Sequence, residues 1–320
     1  MMISADDSTY TEAIIEHPDD TGLRLEYANW LEQRGEPLGE FIRIQCELSQ
    51  LSPDSSKVAE LRKREGELLD EHERVWCDPL QRMTASWQWN CGFVNRIEMC
   101  VKQFKNFQTI SHLFPIQHLS LLGPFVHGKP RVSSIAECTF LARLKSFELH
   151  KGYYAVGAKE INELVQSPHL RNLSSLCLHE NTFGTANVRS LAASPQLGRL
   201  NHLSISCYGF NREDYVGCEG LGLILDSQHL AGVTNLSLRN CLLDNSCCDL
   251  LARSSRRKSF VHIDLSHNSI GDTGLAVLME SGFLKGIDSI DLRYNRISKK
   301  AARAAKNQFG RSVLVSKKAT

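Results

Sequence analysis

The sequence predicts an α/β solenoid built from stacked repeats and preceded by a small all-α domain. A short pattern of alternating apolar residues, typical of a β-strand, recurs seven times, with its first apolar position at residues 119, 147, 176, 203, 236, 263 and 290. Successive copies are therefore 28, 29, 27, 33, 27 and 27 residues apart. A stretch with helical apolar spacing follows most copies, whereas residues 8–76 show helical spacing alone.

The N-terminal part of the chain predicts three short helices over residues 10–48 and then a charged helix from about 54 to 76. Tyr27 and Trp30 fall on one helical face, and Phe41 falls on the apolar face of the next helix. We expect these three aromatic side chains to pack in a core rather than to form a docking surface.

The string HPDDTGLRLEYANWLEQRGEPLGEFIRIQ lies within this helical part. It closely resembles the repeat-companion domain, a short bacterial module that precedes repeat regions. The resemblance is carried by the core D-D-x-x-x-R-L-x-Y-A-x-W-L-E-x-R-G. That family has no assigned activity, so the resemblance implies an architecture and not a chemistry. We assign residues 1–80 to this domain.

Residues 81–95 are predicted to be the linker and the N-terminal edge of the solenoid. Trp87 and Trp89 are expected to cover the open edge of the first repeat rather than to bind a ligand. A weaker early copy of the strand pattern follows at Ile97-x-Met99. The solenoid itself is assigned to residues 96–320.

Each repeat carries the pattern seen in Ile263-x-Leu265-x-x-Asn268. The pattern resembles the leucine-rich repeat, LxxLxLxxN, and the repeat length with a helix after each strand resembles the ribonuclease-inhibitor-like subclass. The resemblance covers roughly residues 90–320. It implies parallel strands on the concave side of a solenoid and helices on the convex side.

The turn after each strand is predicted to be held by an asparagine side chain that bonds backbone groups left unpaired by the bend. The asparagine stands in three copies, at Asn181, Asn268 and Asn295. It is replaced in four copies, by Pro124, Gly152, Tyr208 and Cys241. We expect weaker ladders there. The segment 298–315 predicts a basic helix and a short closing strand as the C-terminal cap.

Composition excludes little beyond extremes of charge. The 37 basic and 36 acidic side chains give a net charge of +1, which provides no global attraction to nucleic acid or to anionic membranes. No run has the length of a transmembrane helix, and the N-terminus lacks a signal-peptide pattern, so we expect a cytoplasmic protein. The eleven cysteines show no C-x-x-C pair and are expected to be free, mostly buried thiols.

The residues between the buried strand positions should point outward and form the concave surface. Its C-terminal end carries a mixed set of side chains, called here the C-terminal cluster: Arg239, His262, Asp264, His267, Asp291, Arg293 and Tyr294. Arginine and tyrosine are enriched among interface hot spots, so the cluster is a candidate partner-binding site. The alternative is that its charges simply pair in solvent, contributing about 0–1 kcal/mol per pair.

Catalytic interpretations have little support. Cys247-Cys248-Asp249 contains a Cys-x-Asp triplet that some bacterial leucine-rich-repeat effectors carry in a separate ubiquitin-ligase domain, but here it lies inside a predicted repeat helix. A buried helical cysteine is the ordinary explanation. Cys–His pairs, His179 with Cys177 and His202 with Cys207, have no apparent third orienting residue.

Metal and cofactor sites are also not indicated. His179, His202, His262 and His267 are spread over several repeats, and no zinc-type Cys/His spacing occurs. No phosphate-binding loop, dinucleotide fingerprint or G-x-S-x-G motif is present. The sequence therefore predicts a non-enzymatic protein without metal or cofactor.

The function predicted is an interaction scaffold or adaptor that binds a protein partner on the concave face. The alternative is binding of nucleic acid or of an anionic surface through a basic C-terminal edge. This edge combines the run RSSRRKS, residues 253–259, with seven further cations, Lys299, Lys300, Arg303, Lys306, Arg311, Lys317 and Lys318. A solvated turn and cap explain the same charges, because no aromatic residues interleave with them. A structural scaffold without a concave ligand also stays open.

Overall fold

The computed structural model describes residues 5–123, 132–150, 158–209 and 211–315. The chain divides into two compact units, an N-terminal unit of residues 1–121 and a C-terminal unit of residues 122–320. No helix of the described residues is both long enough and apolar enough to cross a membrane.

The N-terminal unit contains the four helices predicted between residues 10 and 76, together with two further short helices and three strands. Its helices are α1 (Ala5–Glu16), α2 (Thr21–Glu32), α3 (Pro37–Gln50), α4 (Lys57–Trp76), α5 (Asp78–Gln81) and α6 (Phe104–Gln108). Its strands are β1 (Ser86–Asn90), β2 (Phe93–Cys100) and β3 (His118–Leu122), of which β1 and β2 form an antiparallel hairpin.

Aromatic side chains form the core of the helical part, as the sequence predicts. Helix α2 begins where the Asp20 carboxylate accepts from the N–H of Leu23 at 3.0 Å. Tyr27 and Phe41 are 3% and 0% exposed. Trp30 is half-buried, and the Arg34 guanidinium lies 3.7 Å from the centre of its ring.

A buried arginine ties the hairpin to α2. Arg24 is 1% exposed and donates hydrogen bonds to three main-chain carbonyls, those of Pro18 at 2.6 Å, Asn90 at 2.6 Å and Cys91 at 2.9 Å. The last two belong to the turn of the hairpin, whose Gly92 has φ of 84°. A Cβ atom at Gly92 would lie 2.2 Å from a side-chain carbon of Ile42, so only glycine fits.

Trp87 and Trp89 extend from β1 toward helix α4. Both indole N–H groups donate to the same Glu73 carboxylate oxygen, at 2.8 and 2.9 Å. The Trp89 ring also meets Phe41 edge to face, with centroids 5.0 Å apart. The two tryptophans therefore fix β1 against the helices, and β1 covers the edge of β2.

The C-terminal unit alternates strands and helices along the chain. Its helices are α7 (Val132–Ala136), α8 (Ala158–Val165), α9 (Thr185–Ala192), α10 (Gly217–Asp226), α11 (Asn245–Arg253), α12 (Asp272–Glu280) and α13 (Lys299–Phe309). Its strands are β4 (Ser146–His150), β5 (Ser175–Asn181), β6 (His202–Cys207), β7 (Asn235–Arg239), β8 (His262–Asp264), β9 (Ser289–Asp291) and β10 (Val313–Leu314).

These strands lie in sequence order in one sheet and are parallel wherever the pairing is described. The first apolar residue of each strand from β5 to β9 is in register with the next: Leu176, Leu203, Leu236, Ile263 and Ile290. All five are at most 2% exposed. One strand per repeat, with helices packed side by side, is the leucine-rich-repeat-like fold that the sequence predicts.

The predicted asparagine ladder is present. The Asn268 amide group donates to three main-chain carbonyls, those of Leu238, Leu265 and Ser266, at 2.8, 3.0 and 3.2 Å. Its oxygen accepts from the N–H groups of Cys241 and Leu243 at 2.9 and 3.0 Å. Asn295 has the same arrangement one repeat later, where its amide group donates to the carbonyls of Leu265 and Leu292.

One ladder position differs from the prediction. In β6 the residue that lies opposite Asn181 is Cys207, which is 1% exposed, whereas Tyr208 is 43% exposed. The register shifts there because the residue before the ladder position adopts a left-handed conformation in neighbouring repeats, with φ of 54° at Glu180 and 53° at Asn240. Ser206, the residue before Cys207, does not, so this turn is one residue shorter. Pro124 and Gly152 lie outside the described residues.

The expectation that all cysteines are free is wrong for two of them. Cys218 and Cys247 form a disulfide, while the other nine remain free thiols. The bonded pair is 29 residues apart, about one repeat, so stacking brings the two side chains together. The C-terminal cap is as predicted, with α13 followed by β10, which pairs in parallel with β9.

Candidate functional site

The outward side chains of β4–β9 form a surface that we call the open face. The strand register aligns them in columns, one of which contains Glu148, Cys177, Ser204, Ser237, Asp264 and Asp291. Neighbouring positions in such a column are about 4.8 Å apart. Side chains from consecutive repeats therefore meet on this face even though they lie far apart in sequence.

An aromatic stack marks the C-terminal cluster. The rings of His267 and Tyr294 lie 4.2 Å apart between centroids and 25° from parallel. Both residues lie in the turn that follows a strand and have left-handed backbone conformations, with φ of 58° and 59°. Tyr294 is 59% exposed. The stack thus presents the exposed Tyr294 ring to solvent, with the half-buried His267 ring beside it.

The charges of the cluster are partly paired. The Arg293 guanidinium donates to both Asp291 carboxylate oxygens, at 2.6 to 3.0 Å, and this hydrogen bonding raises the pKa of Arg293. The Asp264 carboxylate instead accepts from the Ser266 N–H at 2.8 Å and from the Ser237 hydroxyl at 3.5 Å. Among the described residues, Arg239 and Asp264 form no ion pair.

The remaining members lie beside these groups. Desolvation, followed by the charge of Arg239, lowers the pKa of His267. His262 is exposed, and its Nδ1 lies 2.8 Å from the Ser289 hydroxyl on the next strand. The structure therefore brings the sequence-predicted residues together on one face, with His262 at its edge.

A second polar group lies on the open face, at a place where the sequence predicts no site. His150 and His179, in register on β4 and β5, stack with centroids 4.7 Å apart, and His150 Nε2 lies 3.3 Å from a Glu148 carboxylate oxygen. Burial, followed by the neighbouring His150, lowers the pKa of His179, and burial also lowers that of His202. The two stacked histidines are 29 residues apart, about one repeat, and this separation is the sequence feature that could have predicted their contact.

This histidine group predicts acid sensitivity. The pKa of a histidine in an unfolded chain is about 6.5. Because the pKa of His179 and of His202 is lower in the folded protein, the unfolded chain binds more protons than the folded protein at pH values between the two pKa values. The free energy of unfolding of the C-terminal unit should therefore fall as the pH drops below about 6.5. Urea titrations at several pH values, followed by far-ultraviolet circular dichroism, measure the slope of the free energy of unfolding against pH.

The double variant His179→Gln/His202→Gln should show a smaller loss, whereas Ser204→Ala, a change in the same strand as His202, should keep the wild-type slope. Equal slopes in the wild type and in the double variant would show that other groups control the acid response.

The cysteines considered as nucleophiles are buried. Cys248 is fully buried, and burial raises its pKa to about 12. Cys207 Sγ lies 3.3 Å from Cys241 Sγ. A nucleophilic thiol needs a lowered pKa and access to solvent. Cys248 has neither property, because it is buried and its pKa is raised.

The basic edge is smaller than the sequence suggested. Arg256, within the run 253–259, is 9% exposed and donates to the carbonyls of Ile224 at 3.1 Å and Val233 at 2.9 Å, so it serves the fold. Four cations of α13, Lys299, Lys300, Arg303 and Lys306, line one groove with Val315. Lys317 and Lys318 lie outside the described residues.

One group with metal-ligand chemistry is present where the sequence predicted none. The candidate ligand atoms of Cys218, Asp244 and Cys247 all lie within 4.8 Å of one another. The two cysteines are one repeat apart, so a comparison of residues at the repeat period, rather than a search for short spacings, was the signal that would have found them.

Comparisons with known proteins show the fold and no activity. No family model and no curated protein matches the chain. A Bacteroides fragilis protein of known structure is similar, with a TM-score of 0.51 and 14% identity over 83% of this chain and 85% of that chain. A chain of the yeast Rad7–Elc1 complex matches more weakly, with a TM-score of 0.36 and 15% identity over 71% of this chain and 72% of that chain. A chain of the mouse RP105/MD-1 complex matches with a TM-score of 0.26 and 14% identity over 67% of this chain and 44% of that chain. At this identity the first likeness indicates a shared fold, and the TM-scores of the other two are too low to support more.

Proposed function

We propose that the protein is a non-enzymatic scaffold or adaptor that binds a protein partner on its open face, the concave side expected of this architecture. The observation that carries the proposal is the His267–Tyr294 stack, with its exposed tyrosine ring, beside Arg239 and Asp264. Aromatic and arginine side chains in one patch are typical of interface hot spots.

Preorganisation supports the same proposal. The Asn268 and Asn295 amides hold the turns that carry His267 and Tyr294, so the stack is fixed by buried hydrogen bonds rather than by loose loops. Asp291 orients Arg293 in a bidentate pair. A partner that meets a surface already ordered in this way loses less conformational entropy on binding.

We also infer the finer architecture from the sequence resemblances. The helices α1–α3 span the segment of about residues 10–48 that resembles a repeat-companion domain, and the repeats resemble the ribonuclease-inhibitor-like subclass of bacterial leucine-rich-repeat proteins. Arg24, the arginine of the D-D-x-x-x-R-L core, is the residue that ties the hairpin to α2. We propose a cytoplasmic location.

A capture experiment with a matched control tests the binding proposal. The site variant is Arg239→Glu/Tyr294→Ala, and the control variant is Glu280→Lys/Lys285→Ala, two exposed residues outside the open face and outside the basic run 253–259. Proteins captured from host lysate are quantified by mass spectrometry. We expect a partner whose recovery falls at least about tenfold with the site variant, equivalent to about 1.4 kcal/mol, and is unchanged with the control.

The affinity of that partner, once purified, should fall by the same factor, and circular dichroism should be unchanged in both variants. Equal recovery with the site variant and the control would refute the C-terminal cluster as the binding site.

The basic groove of α13 is the second candidate, with nucleic acid as ligand. Lys299 and Lys300 stand in the first turn of the helix, where the helix dipole disfavours cations, and they form no ion pair among the described residues. Binding of labelled single-stranded RNA should then weaken as salt is added. The slope of log affinity against log salt should be shallower in Lys299→Ala/Lys300→Ala, by about 0.7 for each phosphate that the variant no longer neutralises. Lys285→Ala is the control, and absence of binding at low salt would reject this candidate.

A further inference from the structure

Two cysteines from successive repeats meet beside a carboxylate at the helical side of the C-terminal unit. Cys218 lies in the first turn of α10, and Cys247 lies in the first turn of α11. Their sulfur atoms are bonded, and an oxygen of Asp244, the residue before α11, lies 3.3 Å from the Cys218 sulfur. Within the described parts of the chain, no other three His, Cys, Asp or Glu side chains approach so closely.

The donor set matches a zinc ion when the disulfide is open. Thiolate sulfur and carboxylate oxygen are common zinc ligands, and three protein ligands plus water complete a tetrahedral site. Two thiolates and one carboxylate with Zn²⁺ carry a net charge of −1. That charge is favoured here because the positive ends of two helices, α10 and α11, face it.

A hydroxyl group orients these ligands. The Ser246 side chain lies 2.7 Å from the Asp244 carboxylate and 3.1 Å from the Cys218 sulfur. Outer groups that hold metal ligands in place are typical of built metal sites. Cys218 is half-buried and Asp244 is exposed, so an ion can enter from solvent.

Repeat stacking does not require this chemistry. In the next repeat Asn245 occupies the position 27 residues after Cys218, and Gly274 occupies the position 27 residues after Cys247. There the Asn245 amide oxygen accepts from the N–H groups of Gly271 at 2.7 Å and Gly274 at 3.1 Å. An ordinary amide contact therefore joins α11 to α12, whereas the thiol pair joins α10 to α11. The stacking of repeats does not by itself need two cysteines.

We propose that Cys218, Asp244 and Cys247 form a redox-gated zinc site. The reduced protein binds Zn²⁺ through two thiolates and one carboxylate, and oxidation closes the disulfide and releases the ion. Closing the S–S bond removes two electrons from the two thiolates. A small-molecule disulfide accepts them, its own S–S bond breaks, and it leaves as two thiolates that take protons from water, while zinc keeps its charge.

Cobalt titration of the full chain tests the proposal. The protein is reduced with a phosphine, which provides no competing thiol, and Co²⁺ is added as a spectroscopic substitute for zinc. We expect one equivalent to bind with a sulfur-to-cobalt charge-transfer band, zinc to displace it, and a small-molecule disulfide to abolish the band until phosphine is added again.

Variants separate this site from other thiols. Cys218→Ser and Cys247→Ser should abolish the band, Asp244→Asn should weaken binding at least about tenfold, and Cys248→Ser should leave it unchanged. Circular dichroism establishes folding, and Cys218→Ser carries the test if the more buried Cys247→Ser fails to fold. No band in the reduced wild type, or an unchanged band in Cys218→Ser, would overturn the proposal.

Discussion

Asn268→Ala is expected to lower the free energy of unfolding of the C-terminal unit by about 4 kcal/mol, because a buried polar group left without its partner costs about 1–3 kcal/mol. The change removes five hydrogen bonds and leaves the buried N–H groups of Cys241 and Leu243 without an acceptor. Far-ultraviolet circular dichroism in urea measures the loss, since the four tryptophans all lie in the N-terminal unit.

Asn201→Ala is the matched control. Asn201 is exposed in the turn before β6, and its replacement should change the free energy of unfolding by less than about 0.5 kcal/mol. Asn268→Asp should destabilise at least as strongly as Asn268→Ala, because a carboxylate would face three carbonyl oxygens. Equal effects of the two alanine variants would mean that the ladder does not hold the repeats.

The repeat architecture follows from the sequence because the same segments show two periods, one of two residues within each strand and one of about 27 residues between strands. Alternation with period two determines which side chains of each strand are buried, and the step of about 27 residues aligns one strand with the next. The columns of the open face follow from the same two numbers. A one-residue difference in the length of a turn changes neither period, so the sequence predicts Tyr208 at the ladder position that Cys207 occupies.

The conformations of the turns and the pairing of the two cysteines do not follow from the sequence pattern. Glu180, His267 and Tyr294 adopt left-handed conformations usually taken by glycine, so residue type gave no sign of them. Pairing on the open face depends on side-chain rotamers: Arg293 turns back onto Asp291 of its own repeat rather than toward Asp264. The Cys218–Cys247 contact depends on how two helices stack.

Arg24→Met is expected to lower the free energy of unfolding of the N-terminal unit by roughly 3–5 kcal/mol, because hydrogen bonds to a charged group contribute about 1.5–3 kcal/mol each. Burial lowers the pKa of Arg24, which reflects the cost of desolvating its charge, and three carbonyl oxygens offset that cost. Methionine fills a similar volume but donates nothing, so the hairpin turn loses its attachment to α2. Tryptophan fluorescence in urea reports this unit alone.

Arg34→Met is the control, since the exposed Arg34 contacts the Trp30 ring and donates only one long bond, to the Trp30 carbonyl at 3.4 Å. We expect it to cost about 0.5–1 kcal/mol. Arg24→Lys keeps the charge but not the planar fork, and should fall between the two. If Arg24→Met cost no more than Arg34→Met, the side chain would act only through packing. The arginine of the D-D-x-x-x-R-L core would then have no part in joining the hairpin to the helices.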